Sequence, residues 1–256
     1  MVTEILYSYL LFFVFAPIYS YLIGALNFSI IVALIMKKED IRNFHSKNAG
    51  ATNMSRVHGM KLGIVVMFLD VIKAIIALSI TYLVYKYALH EPIDLKSGIK
   101  LSPLTFFSAI FIILGHCFPI YFNFNGGKGV SCMTGILLVS CPIILLVSVL
   151  IMYIIVKFTR HISLGSMITS LIAVFLLLIP GFFYVPFYHE HLPDYFLDLN
   201  SSYKHIAIVF TFLIFTLIIL VVQHRTNIKR LVDKNETNFF FSNKDKVKFE
   251  QKSVIN

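Results

Sequence analysis

Uninterrupted apolar segments dominate this chain and restrict it to few folds. Six segments are each about as long as a membrane-crossing helix needs to be: residues 5–36, 62–86, 104–122, 130–157, 162–187 and 205–222. Polar and apolar residues do not alternate within them, and backbone groups in lipid must find their partners inside the protein. The sequence therefore predicts an all-α fold, a polytopic bundle of membrane helices.

Composition and charge agree with a membrane protein and argue against a nucleic-acid partner. Charged residues make up 14 % of the chain and mean hydropathy is +0.82, whereas soluble domains carry about 25 % charged residues. The net charge of +9 is concentrated in residues 37–61 and 225–252, directly beside apolar segments. Basic residues on the cytoplasmic side of membrane helices account for this placement without a polyanion.

The three cysteines and the histidines show no metal-binding or disulfide pattern. Cys117, Cys132 and Cys141 are odd in number, form no CxxC pair and lie in or beside apolar segments. We expect them to pack as small hydrophobic side chains. Neither a metal nor a cofactor is expected.

The two basic clusters predict the number of membrane crossings. If both are cytoplasmic, an even number of helices must separate them, yet five apolar segments do. Proline removes a helix hydrogen bond, so Cys141-Pro142 is where segment 130–157 is expected to divide. The prediction is about seven transmembrane helices, with the N-terminus outside and the C-terminus in the cytoplasm. Outside loops then hold few basic residues and carry Glu190, Asp194 and Asp198.

The first polar motif follows the first apolar segment. Residues 40–56 read DIRNFHSKNAGATNMSR and are rich in small and hydrogen-bonding side chains. Such a loop can fold tightly and turn several backbone N–H groups toward an anion. The alternative is a solvated connector made of turn residues.

The second motif lies between the third and fourth apolar segments. It reads GHCFP from Gly115 and NGGKG from Asn125. Glycines let a backbone approach a phosphate closely, Lys128 adds a charge, and a helix starting near Val130 would point its N-terminus at the same place. Phe122 and Gly129 exclude a Walker A loop. The alternative is a flexible turn between two helices.

The third motif, QHRTNIKRL, starts at Gln223 after the last apolar segment, and Glu236 follows it. His224 and Asn227 are three residues apart and are expected to share a helix face. The alternative is a basic segment that ends the last membrane helix. Asp70 and Lys73 form a separate i, i+3 pair inside the second segment, where ionisable groups are costly and normally paired. This pair either supports the structure or lines a site.

Together these motifs resemble the PlsY family, the bacterial acyl-phosphate:glycerol-3-phosphate acyltransferases. The family typically reads DIRxxGSGNxGATNxxR, GHxFPxxxxFxGGKGV and HRxNIxRL followed by a glutamate. This chain has all three in the same order, as DIRNFHSKNAGATNMSR, GHCFPIYFNFNGGKGV and HRTNIKRL before Glu236. The Asp70–Lys73 pair and the sequence SLGS at 163–166 also resemble family features. His45 and Lys47 stand where the family has glycine.

The resemblance implies a transfer reaction and its site residues. A fatty acyl group would pass from acyl phosphate to the 1-hydroxyl of glycerol 3-phosphate, giving lysophosphatidic acid and inorganic phosphate. The implied catalytic residues are Ser46, Arg56, Lys128, His224, Asn227 and Glu236. The implied substrate-binding residues are Asn48, Thr52, Asn53, Asp70, Lys73, Gly126, Gly127, Gly129, Ser166 and Arg225. The base is either His224 or the phosphate of the acyl donor.

The resemblance also implies where the protein acts and with what. Its partners would be glycerol 3-phosphate, long-chain acyl phosphate and membrane lipids, with no nucleic acid. We expect a monomer that can meet the enzyme supplying acyl phosphate. The location would be a bacterial plasma membrane, with the site at the cytoplasmic face. Residues 1–224 would form the membrane-embedded acyltransferase domain and residues 225–256 a basic cytoplasmic tail.

Three other functions fit parts of the sequence. A transporter or channel for a phosphorylated anion could also use a cationic glycine-rich loop, but the polar motifs gather at one membrane face and not at the midplane. An inactive family member could serve as an interaction subunit. An acyl-CoA-dependent enzyme is disfavoured, because the only HxxxxD pattern runs from His189 to Asp194 in a loop predicted to be outside.

Overall fold

The computed structural model describes residues 2–88, 103–179 and 199–239. Across these ranges the chain forms helices and turns and no strand, which confirms the all-α prediction. The α-helices in the described ranges are α1 (Val2–Gly24), α2 (Phe28–Lys37), α3 (Ala51–His58), α4 (Met60–Ala88), α5 (Phe107–Cys117), α6 (Val130–Ser140), α7 (Pro142–Thr159), α8 (Ile162–Leu176), α9 (Leu199–Gln223) and α10 (Arg225–Val232). The loop predicted to be outside, with Glu190, Asp194 and Asp198, and the tail from residue 240 are not among the described residues.

Five helical stretches of the described chain are long and apolar enough to cross a membrane. They are Phe12–Lys37, Met60–Tyr87, Leu104–Phe122, Pro142–Thr159 and Ile206–Gln223, and the shorter apolar helices Val130–Ser140 and Ile162–Leu176 accompany them. The membrane class is thereby confirmed. A count of seven crossings and an outside N-terminus stay predictions.

The predicted break before Pro142 is present. Helix α6 ends at Ser140, Cys141 is extended with φ −160° and ψ 94°, and Pro142 is the first residue of α7. Proline suits the first helical position because its missing N–H would have no intrahelical partner there. The local chemistry of one residue thus divides an otherwise continuous apolar segment.

The first apolar segment differs from its prediction as one helix, because it contains α1 and α2 separated by residues 25–27. Asn27 is fully buried and caps α2, its Oδ1 accepting a hydrogen bond from the backbone N–H of Ile30 at 3.2 Å. Asparagine at an N-cap supplies an acceptor to one of the unpaired amides of a new helix. The break therefore has a local cause that hydropathy did not reveal.

The bundle packs around α4 and α5. Helix α1 contacts both, α4 also contacts α3 and α6, α5 contacts α9, and α7 packs against α8. Fully buried apolar side chains such as Ile112, Ile136 and Leu213 fill the centre. Outward-facing side chains such as Leu146 and Phe158 are also apolar and exposed. Helices that are apolar on every side are typical of membrane bundles.

A smaller apolar cluster supports the first motif at one end of the bundle. Ile30 from α2, Val66 from α4 and Met54 from α3 pack with Ile41 and Ala49 of the motif loop. All five side chains are fully buried. The loop is therefore attached to the helix bundle through its apolar residues, which leaves its polar residues to face the other motifs.

Candidate active site

Arg42 joins the first motif to the second. Its guanidinium forms an ion pair with Asp40, with Nη2 and Oδ2 2.7 Å apart, and the Arg42 hydrogen bonds hold the pKa of Asp40 below its usual value despite partial burial. Its Nη1 donates to the carbonyl oxygens of Phe122 at 2.7 Å and Asn125 at 3.0 Å. Two loops about eighty residues apart are therefore fixed to each other.

Ser46 and Asn53 form the inner contact of the first motif. The Ser46 hydroxyl donates to Asn53 Oδ1 at 3.0 Å, while Asn53 Nδ2 donates to the carbonyl oxygens of Ile41 and Phe44. The loop thus folds back over the first turn of α3. Asn48 and Thr52 lie half-buried beside it. Ser46 keeps partial exposure, which leaves its hydroxyl within reach of a ligand.

The two residues beside Ser46 have a backbone conformation that favours glycine. His45 has φ +47° and Lys47 has φ +56°, both in the left-handed region that costs residues other than glycine about 1–2 kcal/mol. Both side chains are exposed, so Lys47 adds its positive charge outside the core of the site.

The glycine loop of the second motif lies across the end of α5. The backbone N–H of Gly126 donates to the carbonyl of Cys117 at 3.1 Å, and that of Gly127 to the carbonyl of His116 at 3.0 Å. Gly129 has φ +87° and precedes α6, which starts at Val130 as predicted. The first-turn amides of α6 have no carbonyl partner within the helix and therefore attract an anion.

Lys128, Asn227 and Glu236 form a continuous polar chain between the second and third motifs. Lys128 Nζ donates to Asn227 Oδ1, and Asn227 Nδ2 donates to Glu236 Oε1 at 2.7 Å. Glu236 also accepts hydrogen bonds from Ser163 Oγ and Arg230 Nε, each at 2.8 Å. Burial opposes ionisation of Glu236, but these three donors outweigh it and hold its pKa below its usual value.

His224 stands at the junction of α9 and α10. His224 is the N-cap of α10, and its carbonyl accepts the N–H of Ile228 in the first turn of that helix. Asn227 lies in the same turn and is buried, as His224 is. The Nδ1 of His224 lies 2.8 Å from the carbonyl oxygen of Leu220, so Nδ1 carries the proton. Its Nε2 lies 3.3 Å from Ser166 Oγ.

The environment changes the protonation of both basic side chains nearest to Asn227. Burial, reinforced by the charges of Arg230 and Arg56 and opposed by Glu236, lowers the pKa of Lys128 to about 8. Burial and the charge of Lys128 lower the pKa of His224 to about 4. At neutral pH the site therefore holds a charged Lys128 next to a neutral His224.

Arg56 completes the cationic wall of the site. It is half-buried on α3, and burial lowers its pKa, with Glu236 opposing and Arg230 reinforcing that effect. A guanidinium keeps its charge under these conditions. Among the described residues, Arg56, Lys128 and Arg230 thus face the carboxylate of Glu236, and positive charge is in excess. Such a site is suited to an anion.

The remaining predicted site residues lie apart from this chain of contacts. Asp70 and Lys73 are buried in α4 beneath the glycine loop, and Lys73 Nζ donates to the backbone carbonyls of Gly24 and Leu26. Arg225 is exposed at the start of α10. The site prediction omitted Ser163 and Arg230, although both lie within quoted motifs, because only the position of Glu236 reveals their role.

Comparisons with known proteins agree with this architecture. The family model of glycerol-3-phosphate acyltransferases matches residues 14–234. A glycerol-3-phosphate acyltransferase of Ureaplasma parvum serovar 3 is 47 % identical over 235 residues, covering 92 % of this chain and 91 % of the relative. The corresponding protein of Mycoplasma mobile is 35 % identical and covers 89 % and 92 %.

A solved structure extends the comparison to three dimensions. The integral membrane glycerol 3-phosphate acyltransferase PlsY, in its glycerol 3-phosphate form, superimposes with a TM-score of 0.68 at 29 % identity. The match covers 89 % of this chain and 95 % of PlsY. Fold and site together define an integral membrane acyltransferase. The chain belongs to the glycerol-3-phosphate acyltransferase family, in agreement with the resemblance of its three motifs.

Proposed function

We propose that this protein transfers a fatty acyl group from acyl phosphate to the 1-hydroxyl of glycerol 3-phosphate. The products are lysophosphatidic acid and inorganic phosphate. One observation carries the proposal: three cations, Arg56, Lys128 and Arg230, converge on Glu236 beside the N-terminus of α6. Two phosphate-bearing substrates need fixed positive charge and N–H donors to be held together. The related solved structure in a glycerol 3-phosphate form supports the same substrate.

The substrates are assigned to the two sides of the site. Lys128 and the glycine loop hold glycerol 3-phosphate, and Ser46, Asn53 and Arg56 orient the acyl phosphate. Ser46 is partly exposed, with its hydroxyl held by Asn53 at 3.0 Å. The acyl chain lies between helices in the lipid. The assignment of these residues is a proposal from their placement and from the family motifs.

The reaction needs no covalent enzyme intermediate, because an acyl phosphate is already activated. The 1-hydroxyl oxygen attacks the acyl carbonyl carbon, a tetrahedral oxyanion forms, and the bond from the carbonyl carbon to the phosphate oxygen breaks. Positioning and stabilisation of the oxyanion by cations and N–H donors supply the rate. Loss of one such donor typically lowers kcat by about 10²–10³-fold.

The hydroxyl proton passes to the departing phosphate in this proposal. His224 is neutral, but a pKa of about 4 makes its Nε2 a weak base, and Ser166 lies 3.3 Å from it. General bases work best with a pKa near the operating pH. The phosphate is therefore the better acceptor. His224 then orients Ser166 and the neighbouring substrate, and we expect replacement by glutamine to retain more activity than replacement by alanine.

The site is proposed to open to the cytoplasm of a bacterial cell, with seven crossings and the N-terminus outside. Asp40, Arg42, Lys47 and Arg56 of the first motif lie at the end of the bundle where Lys128 and α10 also lie. Excess basic residues at one end favour the cytoplasmic side. The division of the chain at residue 224, a monomeric state and contact with the enzyme that supplies acyl phosphate stay predictions.

One assay tests the function directly. The purified protein in detergent receives palmitoyl phosphate and glycerol 3-phosphate, and mass spectrometry and a phosphate assay follow the products. Lysophosphatidic acid and phosphate should appear only with both substrates. Product formed from acyl-CoA alone would show that the donor is wrong. Entry of glycerol 3-phosphate into vesicles without acylation would favour the transporter.

Two lysine variants localise the activity. Lys128→Ala removes a charge from the site and should raise KM for glycerol 3-phosphate. Lys61→Ala is a matched control, because Lys61 is exposed near the start of α4, and its KM should stay unchanged. Equal KM values for Lys128→Ala and the wild type would remove Lys128 from its assigned role.

A further inference from the structure

A second charged group lies inside the bundle, beneath the glycine loop. Asp70 and Lys73 on α4 and His116 on α5 are at most 3 % exposed. Lys73 Nζ lies 2.9 Å from Asp70 Oδ1 and 3.1 Å from His116 Nδ1. A buried ion pair is often no more stabilising than apolar residues of the same volume. Stabilisation of the fold therefore does not by itself account for this ion pair.

Lys73 uses its ammonium to hold the break between α1 and α2. Besides Asp70 and His116, its Nζ donates to the carbonyl oxygens of Gly24 at 3.0 Å and Leu26 at 2.7 Å. An ammonium has three hydrogens; two go to these carbonyls, and the third is left for the side of the nitrogen where Asp70 and His116 lie within 3.1 Å. Lys73 has no hydrogen left for a substrate phosphate, so its contribution is to the scaffold.

His116 connects this group to the glycine loop. Its Nδ1 lies 3.1 Å from Lys73 Nζ and 3.5 Å from Asp70 Oδ1. Nε2 faces Gly127, where a Cβ atom would lie only 2.0 Å from it. The carbonyl of His116 also accepts the N–H of Gly127 at 3.0 Å. The loop therefore rests directly on the ring and the backbone of His116.

The same loop is tied back to the helix break from the other side. The N–H of Ala49 donates to the carbonyl of Gly126 at 3.4 Å, and Asn27 Nδ2 donates to the carbonyl of Ala49 at 3.1 Å. Asn27 belongs to the break whose carbonyls Lys73 holds. A closed path of contacts thus runs from Lys73 through Asn27, Ala49 and Gly126 to His116 and back.

A metal ion is the alternative occupant of this group. Ligand atoms of Asp70, His116 and Cys132 lie within 4.8 Å of one another, a spacing that a metal would accept. The ammonium of Lys73 already lies within 3.1 Å of both Asp70 and His116. A lysine cation therefore takes the place that a metal would need.

We infer that Asp70, Lys73 and His116 are positioning residues for the phosphate-binding loop. They hold the backbone of Gly126 and Gly127 in the shape that brings Lys128 and the first turn of α6 onto the phosphate of glycerol 3-phosphate. This inference rests on the proposed function. Displacement of a binding group by about 1 Å can cost up to 10²-fold, so the effect should appear in KM for that substrate.

Two variants test the inference in the full-length protein. Asp70→Asn/Lys73→Met removes both charges together and leaves no unpaired buried ion. His116→Asn keeps an acceptor for Lys73 but removes the ring under Gly127. Each should raise KM for glycerol 3-phosphate about tenfold, which corresponds to about 1.4 kcal/mol of binding free energy. KM for palmitoyl phosphate should stay within about twofold of the wild-type value.

Thr81→Val is the matched structural control. Thr81 is buried on the same helix and accepts a hydrogen bond from Tyr19, so its loss should lower Tm without changing either KM. If the two test variants lower only Tm and leave KM for glycerol 3-phosphate unchanged, the inference is overturned. If the double variant aggregates, the KM of His116→Asn for glycerol 3-phosphate tests the inference by itself. A wild-type protein that forms no lysophosphatidic acid would instead overturn the proposed function.

Discussion

The side-chain amide of Asn227 lies between Glu236 and Lys128, donating to Glu236 Oε1 at 2.7 Å and accepting from Lys128 Nζ through Oδ1. This orientation is determined by chemistry, since the amide N–H can donate only to the carboxylate and the amide oxygen can accept only from the ammonium. Asn227 therefore keeps the site cation and the carboxylate apart while connecting them.

Asn227→Asp should disrupt this arrangement and lower kcat/KM by about 10²-fold. The new carboxylate would lie against Glu236, and two adjacent carboxylates resist simultaneous ionisation. Glu236→Gln supplies an amide donor, so the double variant Asn227→Asp/Glu236→Gln should regain at least about tenfold over the single variant. Steady-state kinetics of the four proteins checks this. Additive losses in the double variant would contradict the bridging role.

Glycerol 3-phosphate binding should weaken in alkaline solution. The pKa of Lys128 is lowered to about 8 by burial, so the ammonium is lost as pH rises through that value. KM for glycerol 3-phosphate should rise roughly fivefold between pH 8 and pH 9, as the protonated fraction falls. Lys128→Arg retains its charge in this range and should show a flat profile. A flat profile in the wild type would contradict the prediction.

Acid should destabilise the protein through His224. Its pKa is lowered from 6.5 to about 4, so below pH 6.5 the unfolded chain binds a proton that the folded chain does not. Stability is then lost as pH falls, by roughly 2 kcal/mol between pH 7 and pH 5. His224→Gln should show a smaller loss of Tm over that range. Equal losses in both proteins would exclude His224 as the cause.

Glycine at the left-handed positions of the first motif should stabilise the protein. His45→Gly and Lys47→Gly each relieve a positive φ, and we expect each to add roughly 0.5–1 kcal/mol after the extra entropy of glycine in the unfolded chain. Thermal unfolding in detergent measures this. Phe44→Gly is the control: Phe44 has φ −119°, so glycine there should destabilise.

Thiol labelling should show which face of the membrane holds the site. Lys47→Cys should react with a membrane-impermeant reagent only from the inner side. Tyr87→Cys, exposed at the far end of α4, should react only from the outer side, because a helix of that length spans a bilayer. The native cysteines are buried and give little background. The reverse pattern would overturn the proposed topology.

Much of the fold followed from the sequence where the cause is local. The break at Cys141-Pro142 was predictable because proline acts on its own turn, and the start of α6 followed from the glycines before Val130. The break at Asn27 was not predictable from hydropathy. Asparagine acts there as a cap within an apolar segment, and hydropathy averages over such single residues.

The candidate site was predictable as a set of motifs but not as a set of contacts. Ser163 and Arg230 belong to the site because both donate hydrogen bonds to Glu236, which lies 73 residues from Ser163 along the chain. Substrate binding by Asp70 and Lys73 stays a prediction, and the structure shows Lys73 donating to the backbone carbonyls of Gly24 and Leu26. A paired charge in a membrane helix has the same sequence pattern in either role.

The amino-acid sequence alone determined that this chain is a helical membrane protein with three polar motifs of an acyltransferase. The length of an apolar segment and the local backbone chemistry both depend only on consecutive residues. Only the tertiary structure decided which polar groups meet. The contacts of Arg42 with Phe122 and Asn125, of Lys128 with Asn227 and of His116 with Gly127 depend on how helices pack. Packing depends on the whole bundle, and no single segment encodes it.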